Sequence, residues 1–539
     1  MAKPKTPNQK RKYGELNKRL AKYVMLVESI YEDLNLEAAK IVGITDFTID
    51  SDRPFMWSDY PQTRKRIRDL QERFVEDIGA VIYSGTSEEW KNSNEVQDLL
   101  ANKVLQTYGA TIGKEKYEIL YQPNNDALKA FQQRKDKGFT ISDKLWNQST
   151  LYKQELEEAI SCAIQKGTSA IILSKQISKY LLEFPQLQKD YKERFGKASR
   201  AMDCEYRSIR LVASEINMAY RQAENLRWQQ MDFVVGYEIK LSNNHTCNGK
   251  PFQDICDILA GKYPKDFQWT SWHPLCRCYK IPILKTEEEF WEWDGRNEAT
   301  TASVNEVKDV PDAFKKWVLD NQERISTAKK RNTLPYFLRD NKSVYQKITV
   351  ESSISEIVKR ASSVGDEVQS IAERIAIKNG GYVTPINFKS TTSITRKVIT
   401  EGITPYDIKD AVRTTIIVPK SRIEDVLEEL YKTEGFLRLK RQKPESFMGY
   451  SGNIVNIRTT NGLTAEIQVN TERMIFAKER PEDAKRILGK KRCEEIHNET
   501  GMEGGLGHKY YEQWRILDKS SNEALKIVEK SIEYYSHFR

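Results

Sequence analysis

The sequence contains no apolar run of the roughly 18 residues that a membrane-crossing helix requires, so a membrane protein is not expected. Cysteine is scarce and odd in number, seven in 539 residues, which argues against a disulfide scaffold. The basic N-terminal stretch MAKPKTPNQKRKYGELNKR is followed by no apolar segment with a small-residue cleavage site. It lacks the pattern of a secretory signal, and the chain is expected to be made and kept in a cytoplasm. A strong charge imbalance is lacking too. The formal net charge of +9 is mild for this length and suits weak contact with nucleic acid or an acidic protein surface without requiring either.

A content of 39% hydrophobic and 30% charged residues fits a globular chain, and the length suits about two to four domains, each with its own core. From Lys12 to about Tyr237 prolines are few and apolar residues recur at three- and four-residue spacings, so a mainly α-helical scaffold is expected. Its clearest stripe runs Ile209, Val212, Ile216, Ala219, Ala223 and Leu226, and a helical hairpin is expected to break at Gly167. From Gly236 to about Leu284 short strands, turns, prolines and cysteines replace the helical texture. A connector follows, helical around Pro311 to Lys330. The last part opens with a helix expected from about Ser353 to Lys378, stopped by Gly380-Gly381. Strand-like and helical pieces then alternate, which predicts an α/β (α+β) domain with a mixed sheet. The divisions are therefore 1–285, with the Cys-rich β module at 236–285, then 286–345 as connector and 346–539 as the α/β domain.

Four of the cysteines cluster in SNNHTCNGKPFQDIC and, twenty residues on, HPLCRCY. Cys247, Cys256, Cys276 and Cys278 stand with His245 and His273, and thiolates with imidazoles suit a tetrahedral structural Zn²⁺ site. The C-x-C pair departs from the commoner C-x₂-C hook, and a cluster of reduced, partly buried thiols is the other reading. The helix RLVASEINMAY, Arg210 to Tyr220, then GYEIKLSNNHTC, then HPLCRCY, with KGFTISDKLWNQ upstream, resembles the Mu F-like minor head proteins of tailed phages over about residues 50 to 285. The resemblance implies a non-enzymatic protein of a phage or prophage that joins portal and capsid proteins during head morphogenesis. It would be present in the host cytoplasm during assembly and then in the virion head interior. A generic helical bundle with a Cys-rich cap is the plainer alternative.

Four polar clusters follow in the last 160 residues. In NFKSTTSITRKV, Lys389, Arg396 and Lys397 punctuate a run of hydroxyls that includes Ser393, at a turn entering a helix, which is what a polyphosphate needs. In PYDIKDAVRTTIIV, Asp407 and Asp410 precede a strand and Arg413 opens it; an aspartate at a strand mouth can hold Mg²⁺. In MGYSGNIVNI, Tyr450 offers a ring on which a base can stack. The strand TAEIQVNT puts Thr464, Glu466, Gln468 and Asn470 on a polar face expected to be wet, and GHKYYEQW brings His508 and Lys509. Each is weak alone, because a solvated strand face or a packed tyrosine is common.

The order K-S-x-x-S-x-x-x-K, D-x-x-D, G-Y, E-x-Q-x-x-T and late H-x-x-Y resembles the synthetase domain of the RelA/SpoT nucleotide pyrophosphokinases over about residues 350 to 520. The resemblance implies a nucleotidyltransferase-type fold and pyrophosphate transfer from ATP to the 3′-hydroxyl of a nucleotide, as in guanosine tetraphosphate (ppGpp) metabolism, or of an RNA end such as tRNA. It implies Asp410 and Glu466 as Mg²⁺-binding and catalytic carboxylates. Lys389, Ser393 and Lys397 would hold the donor phosphates, with Arg413, Tyr450, Gln468 and His508 completing substrate binding. Arg413 stands at the family's glycine position, Thr415 and Asn470 stand at arginine positions, and Ile454 replaces a histidine, which leaves the acceptor open. With five histidines and no His-Asp hydrolase region, product hydrolysis is not expected. Together the two motif sets suggest a polymorphic toxin, with an assembly or delivery module first and an effector last, and with an immunity (antitoxin) protein as partner. The alternatives are a structural head protein whose C-terminal domain is an inactive binding module, and a general nucleic-acid-binding protein.

Overall fold

The computed structural model describes residues 6–45, 53–163, 169–242, 246–247, 250–251, 253–292, 303–443 and 447–539. The chain divides into two compact units, Met1–Tyr345 and Gln346–Arg539. Among the described residues no helix is long and apolar enough to cross a membrane.

The first unit is built on α1 (Gln9–Val42), α2 (Arg64–Thr107), α3 (Ile141–Ala163), α4 (Ala170–Leu182) and α5 (Cys204–Gln230). At 1.5 Å per residue, α2 alone spans about 66 Å. One core takes Val27, Tyr31 and Leu34 from α1, Phe74 and Ile78 from α2, Leu156 and Ile160 from α3, and Val212 and Ile216 from α5. The hairpin break expected at Gly167 falls outside the described residues.

The expected stripe of α5 packs as its spacing requires, but from Glu215 onward the helix is buried on nearly every side. Three of its buried charged residues are matched internally. Glu215 accepts from Arg134 at 2.6 Å and Lys144 at 3.3 Å, and Arg227 donates to Asp98 at 2.6 Å. Glu224 takes the Tyr13 hydroxyl at 2.6 Å and pairs with Lys280 at 3.2 Å. Burying such charges is tolerable only when each finds a partner.

After α5, β1 (Val234–Lys240) pairs antiparallel with both β2 (Gly261–Tyr263) and β3 (Tyr279–Leu284), in the order β2-β1-β3. The connector residues expected to be helical form two helices, α6 (Asp312–Asp320) and α7 (Gln322–Lys330), parted at Asn321. Phe314 of α6 packs edge-on against Tyr263 and Phe267, so this segment covers the strand module.

The second unit begins with a pair of helices where one was expected, α8 (Lys342–Ser363) and α9 (Gly365–Lys378). At the break, between Ser363 and Gly365, Phe388 packs so closely that a Cβ on Gly365 would stand 2.6 Å from its Cζ. The short strands β4 (Tyr382–Val383) and β5 (Asn387–Phe388) precede α10 (Thr391–Glu401). β6 (Val412–Ile417), α11 (Ile423–Tyr431), β7 (Phe436–Gln442), β8 (Gly452–Arg458) and β9 (Thr464–Asn470) follow. The sheet is mixed, ordered β4-β6-β9-β8-β7 with β5 also on β6. β6 and β9 run parallel and the other pairs antiparallel.

Alternation gives the sheet two unlike faces. Val412, Ile416, Ala465, Ile467, Val469, Val455 and Ile457 point into a core closed by α8, α9 and α11. The opposite face carries Arg413, Thr415, Glu466, Gln468, Asn470 and Asn456. A second small core joins α12 (Glu472–Lys478) to α14 (Asn522–Ser536) through Phe476, Tyr534 and Tyr535, with α13 (Leu506–Arg515) ahead of α14.

Candidate functional site

Strand register builds the site. Glu466 of β9 pairs with Arg413 of β6 on one side and Asn456 of β8 on the other, and Asn456 pairs with Arg438 of β7. Directly paired residues share a face, so these four form a polar row across the sheet, with Arg438 Nε donating to Asn456 Oδ1 at 2.7 Å. Gln468 stands one step along. Its Nε2 donates to Glu466 Oε1 at 2.6 Å, and its Oε1 accepts from Lys478 Nζ at 3.0 Å. Lys478 also pairs with Glu479 at 3.0 Å.

The face expected to be wet is wet only in part. Thr464 and Glu466 are half-exposed, whereas Gln468 and Asn470 are buried under α12 and its neighbours. Asn470, at the position where the resembled family has arginine, donates to the Tyr450 hydroxyl at 2.6 Å. The Tyr450 ring lies edge-on to Tyr535 at 5.6 Å, with the Lys478 ammonium 5.6 Å from its centroid. Burial raises the phenol of Tyr450, opposed by the charge of Lys478. Tyr450 lines neither of the two clefts described below, so the structure holds the expected stacking residue apart from them.

The first cleft, about 630 Å³, lies at the N-terminus of α10. Ser390 caps that helix by accepting from Ser393 N at 3.2 Å, which leaves the positive end of the helix open to an anion. Lys389 and Lys397 both bind the Asp410 carboxylate, Lys397 at 3.0 Å. Burial disfavours the ionised Asp410, yet the two ammonium groups outweigh it and hold the carboxyl below its ordinary range. Arg396 and Arg413 also line this cleft, and among the described residues neither guanidinium has a hydrogen bond or ion pair. Asp407 stays out of it, because its carboxylate caps the turn at Thr404.

The second cleft, about 470 Å³, is lined by Thr415, Gln468, Lys478 and His508, among others. His508 Nε2 is shielded from water and, among the described residues, has no hydrogen bond, the Glu512 carboxylate standing 4.0 Å away. Arg413 and Asn387 line both clefts, so a single guanidinium, in register with Glu466, marks where they meet. Tyr511, the tyrosine of the H-x-x-Y motif, lines the first cleft, whereas sequence reasoning missed Arg515 beside it and Lys478 and Glu479 on the second. The four-residue spacing of Tyr511 and Arg515, which puts both on one side of α13, was the available signal.

In the first unit, the sulfurs of Cys256, Cys276 and Cys278 lie within 4.8 Å of one another, and His273 Nε2 is 3.1 Å from Cys256 Sγ. The side chain of Cys247 and all of His245 lie outside the described residues. Of the scattered cysteines, Cys204 and Cys493 are buried and Cys162 is half-buried.

The chain is thus multidomain and largely helical, ending in a mixed-sheet unit with a cationic, two-cleft polar face. About a third of it is similar to a toxin: 181 residues are 36% identical to the (p)ppApp synthetase toxin Tas1 of Pseudomonas aeruginosa (strain UCBPP-PA14). That stretch is 33% of this chain and 41% of Tas1, so the chain spans about two fifths of the length of the curated relative it matches. A solved structure of the complex between the Type VI effector Tas1 and its immunity protein contains a chain 36% identical to this one. The match covers 97% of that chain and 35% of this one, with a TM-score of 0.33. No protein-family model matches the chain, and the likeness of the first unit to minor head proteins stands on its sequence motifs alone.

Proposed function

We propose that the second unit is an ATP-dependent nucleotide pyrophosphokinase with an adenine nucleotide as acceptor, and that it is the toxic effector of the chain. The observation that carries this reading is the pair of clefts sharing Arg413, the strand partner of Glu466, which itself lines neither cleft; the first cleft gathers the cations and helix N-terminus that phosphates need. The identity to Tas1 supports both the transfer and the adenine acceptor, the matched residues being assigned here to the second unit.

Lys389, Arg396, Lys397 and the start of α10 neutralise the donor phosphates. The acceptor's 3′-oxygen bonds to the β-phosphorus of ATP, the bond from that phosphorus to the α,β-bridging oxygen breaks, and AMP leaves. Glu466, held in place by Gln468, takes the 3′-hydroxyl proton. The residues also fit Mg²⁺. Among the described residues neither Asp410 nor Glu466 belongs to an all-protein ligand cage, and Mg²⁺ takes one or two carboxylates with its remaining oxygens from phosphates and water. Asp410 would hold it, and the ion supplies charge neutralisation at the phosphates.

The first unit is the carrier in this reading, a minor head module whose partners are phage portal and capsid proteins. An immunity protein is the partner of the effector, because a cell that makes an enzyme able to drain its own ATP must block that enzyme until it is delivered. A second reading, a structural protein whose second unit binds nucleotide without turnover, draws on Thr415 and Asn470 at the family's arginine positions.

Incubating the full chain with γ-labelled ATP, Mg²⁺ and separate acceptors (ADP, GDP, GTP, tRNA, or ATP alone) tests the proposal. Label should pass to an adenine nucleotide, and Glu466→Gln and Asp410→Asn should each slow transfer at least about 100-fold. No transfer to any acceptor removes the enzyme; transfer undiminished in both variants removes the site.

A further inference from the structure

The Cys-rich module of the first unit holds a side-chain cluster that pyrophosphate transfer does not use. Cys256, Cys276 and Cys278 are all at most 2% exposed. The Cys256 and Cys276 sulfurs stand 3.8 Å apart. A disulfide needs about 2.05 Å, whereas two thiolates on one tetrahedral Zn²⁺ at 2.3 Å each are separated by about 3.8 Å.

His273 is the candidate fourth donor: it shares Cys256 with the trio but clusters with Asp254 rather than with Cys276 and Cys278. Its Nδ1 donates to the Pro274 carbonyl at 2.7 Å, which leaves Nε2 as the ligand atom, and Nε2 stands 3.1 Å from Cys256 Sγ and 3.3 Å from Asp254 Oδ2. A zinc-bound imidazole is held by this kind of second hydrogen bond. To complete a tetrahedral set the ring must turn from Asp254 toward Cys276 and Cys278.

A second observation is independent of these distances. Arg221 of α5 is 1% exposed, and among the described residues no carboxylate lies within ion-pair distance of it. It donates to the carbonyls of Thr270 at 2.7 Å, Cys276 at 2.9 Å and Cys278 at 2.6 Å, while Asn217 donates to Cys276 O at 2.9 Å. A buried guanidinium calls for a counter-charge. Three thiolates and a neutral imidazole around one Zn²⁺ carry a net charge of −1, placed on the loop whose carbonyls Arg221 holds.

We propose that Cys256, His273, Cys276 and Cys278 close a structural Zn²⁺ site that pins the 254–257 segment and the 273–278 turn to α5. Soft sulfur and nitrogen donors favour zinc over magnesium or calcium, and short strands with little core of their own gain most from such a clip. The site does not depend on the reading of the second unit.

The full chain, purified in reductant without added metal, should carry about one Zn²⁺ by elemental analysis. Co²⁺ exchanged into it should show the visible bands and thiolate charge transfer of a tetrahedral sulfur-rich site. Cys278→Ser and His273→Ala should lower bound zinc at least tenfold in competition with a chromophoric chelator, and Cys493→Ser should not. Less than 0.2 Zn²⁺ per chain before and after reconstitution overturns the site. If His273→Ala keeps wild-type affinity while Cys247→Ser loses it, the histidine assignment is overturned.

Discussion

Replacing Asp410 by asparagine removes one charge and keeps the shape, so its consequences follow from the two lysines it leaves behind. In the wild type, the Asp410 side chain is 14% exposed and the Lys389 and Lys397 side chains are 21% and 28% exposed. A hydrogen bond to a charged group contributes about 1.5–3 kcal/mol, and partial solvent screening reduces the sum of the two. The expected loss in Asp410→Asn at pH 7 is therefore about 2 kcal/mol. The sign with pH follows from the direction of the shift. The folded carboxyl lies below its unfolded value, so its contribution is full above the ordinary aspartate range and fades as pH falls through the folded value. Hydrogen exchange of peptides covering β6 and β9, read against urea in the full chain, reports the second unit alone. The protection gap between wild type and variant should be widest near neutrality and close in acid. A gap of the same size in acid would refute the electrostatic account, and no gap at neutrality would show that the two lysines do not hold Asp410 in solution.

Arg413→Ala should raise the KM for both ATP and the acceptor while changing stability by less than about 0.5 kcal/mol, because its guanidinium is unpaired and lines both clefts. Steady-state kinetics with each substrate varied would contradict the shared wall if only one KM moved. Tyr450→Phe should cost about 1–2 kcal/mol in urea denaturation, since it strands the amide of buried Asn470; an unchanged midpoint would count against that bond. Gly435→Ala should cost about 2–4 kcal/mol, because Gly435 has φ +84° and a Cβ there would collide with the Arg458 carbonyl oxygen. A thermal scan showing an unshifted transition for the second unit would exclude that contact.

What the sequence made legible and what it concealed divide along one physical line. Period-two alternation over Thr464–Asn470 located the strand and placed Glu466 on its polar face, because side-chain direction in a strand is a local property. Whether that face meets water is not local. Gln468 and Asn470 are buried because α12 returns over them, and Tyr450 is tied down by Asn470 from another strand. The same holds for α5. Its apolar stripe was readable, but the burial of Arg221, Glu224 and Arg227 follows from neighbours brought in from the N-terminal helices and the strand module.

The helix break at Val364 was hidden for a related reason, since α8 and α9 share one continuous apolar stripe to which Val364 itself belongs. Lys389 and Lys397 stand 21 and 13 residues from Asp410 in sequence, yet the three meet because the Lys389 turn runs beside the strand that Asp410 enters. Motif order supplied the candidates. Their arrangement came from sheet register, which puts Arg413 beside Glu466 and leaves Tyr450 behind the clefts rather than in them. An acceptor base bound in the second cleft would therefore meet Gln468, Lys478 and His508 before it met Tyr450. If the proposed transfer holds, base preference should respond to substitution of those residues more than to loss of the Tyr450 ring face.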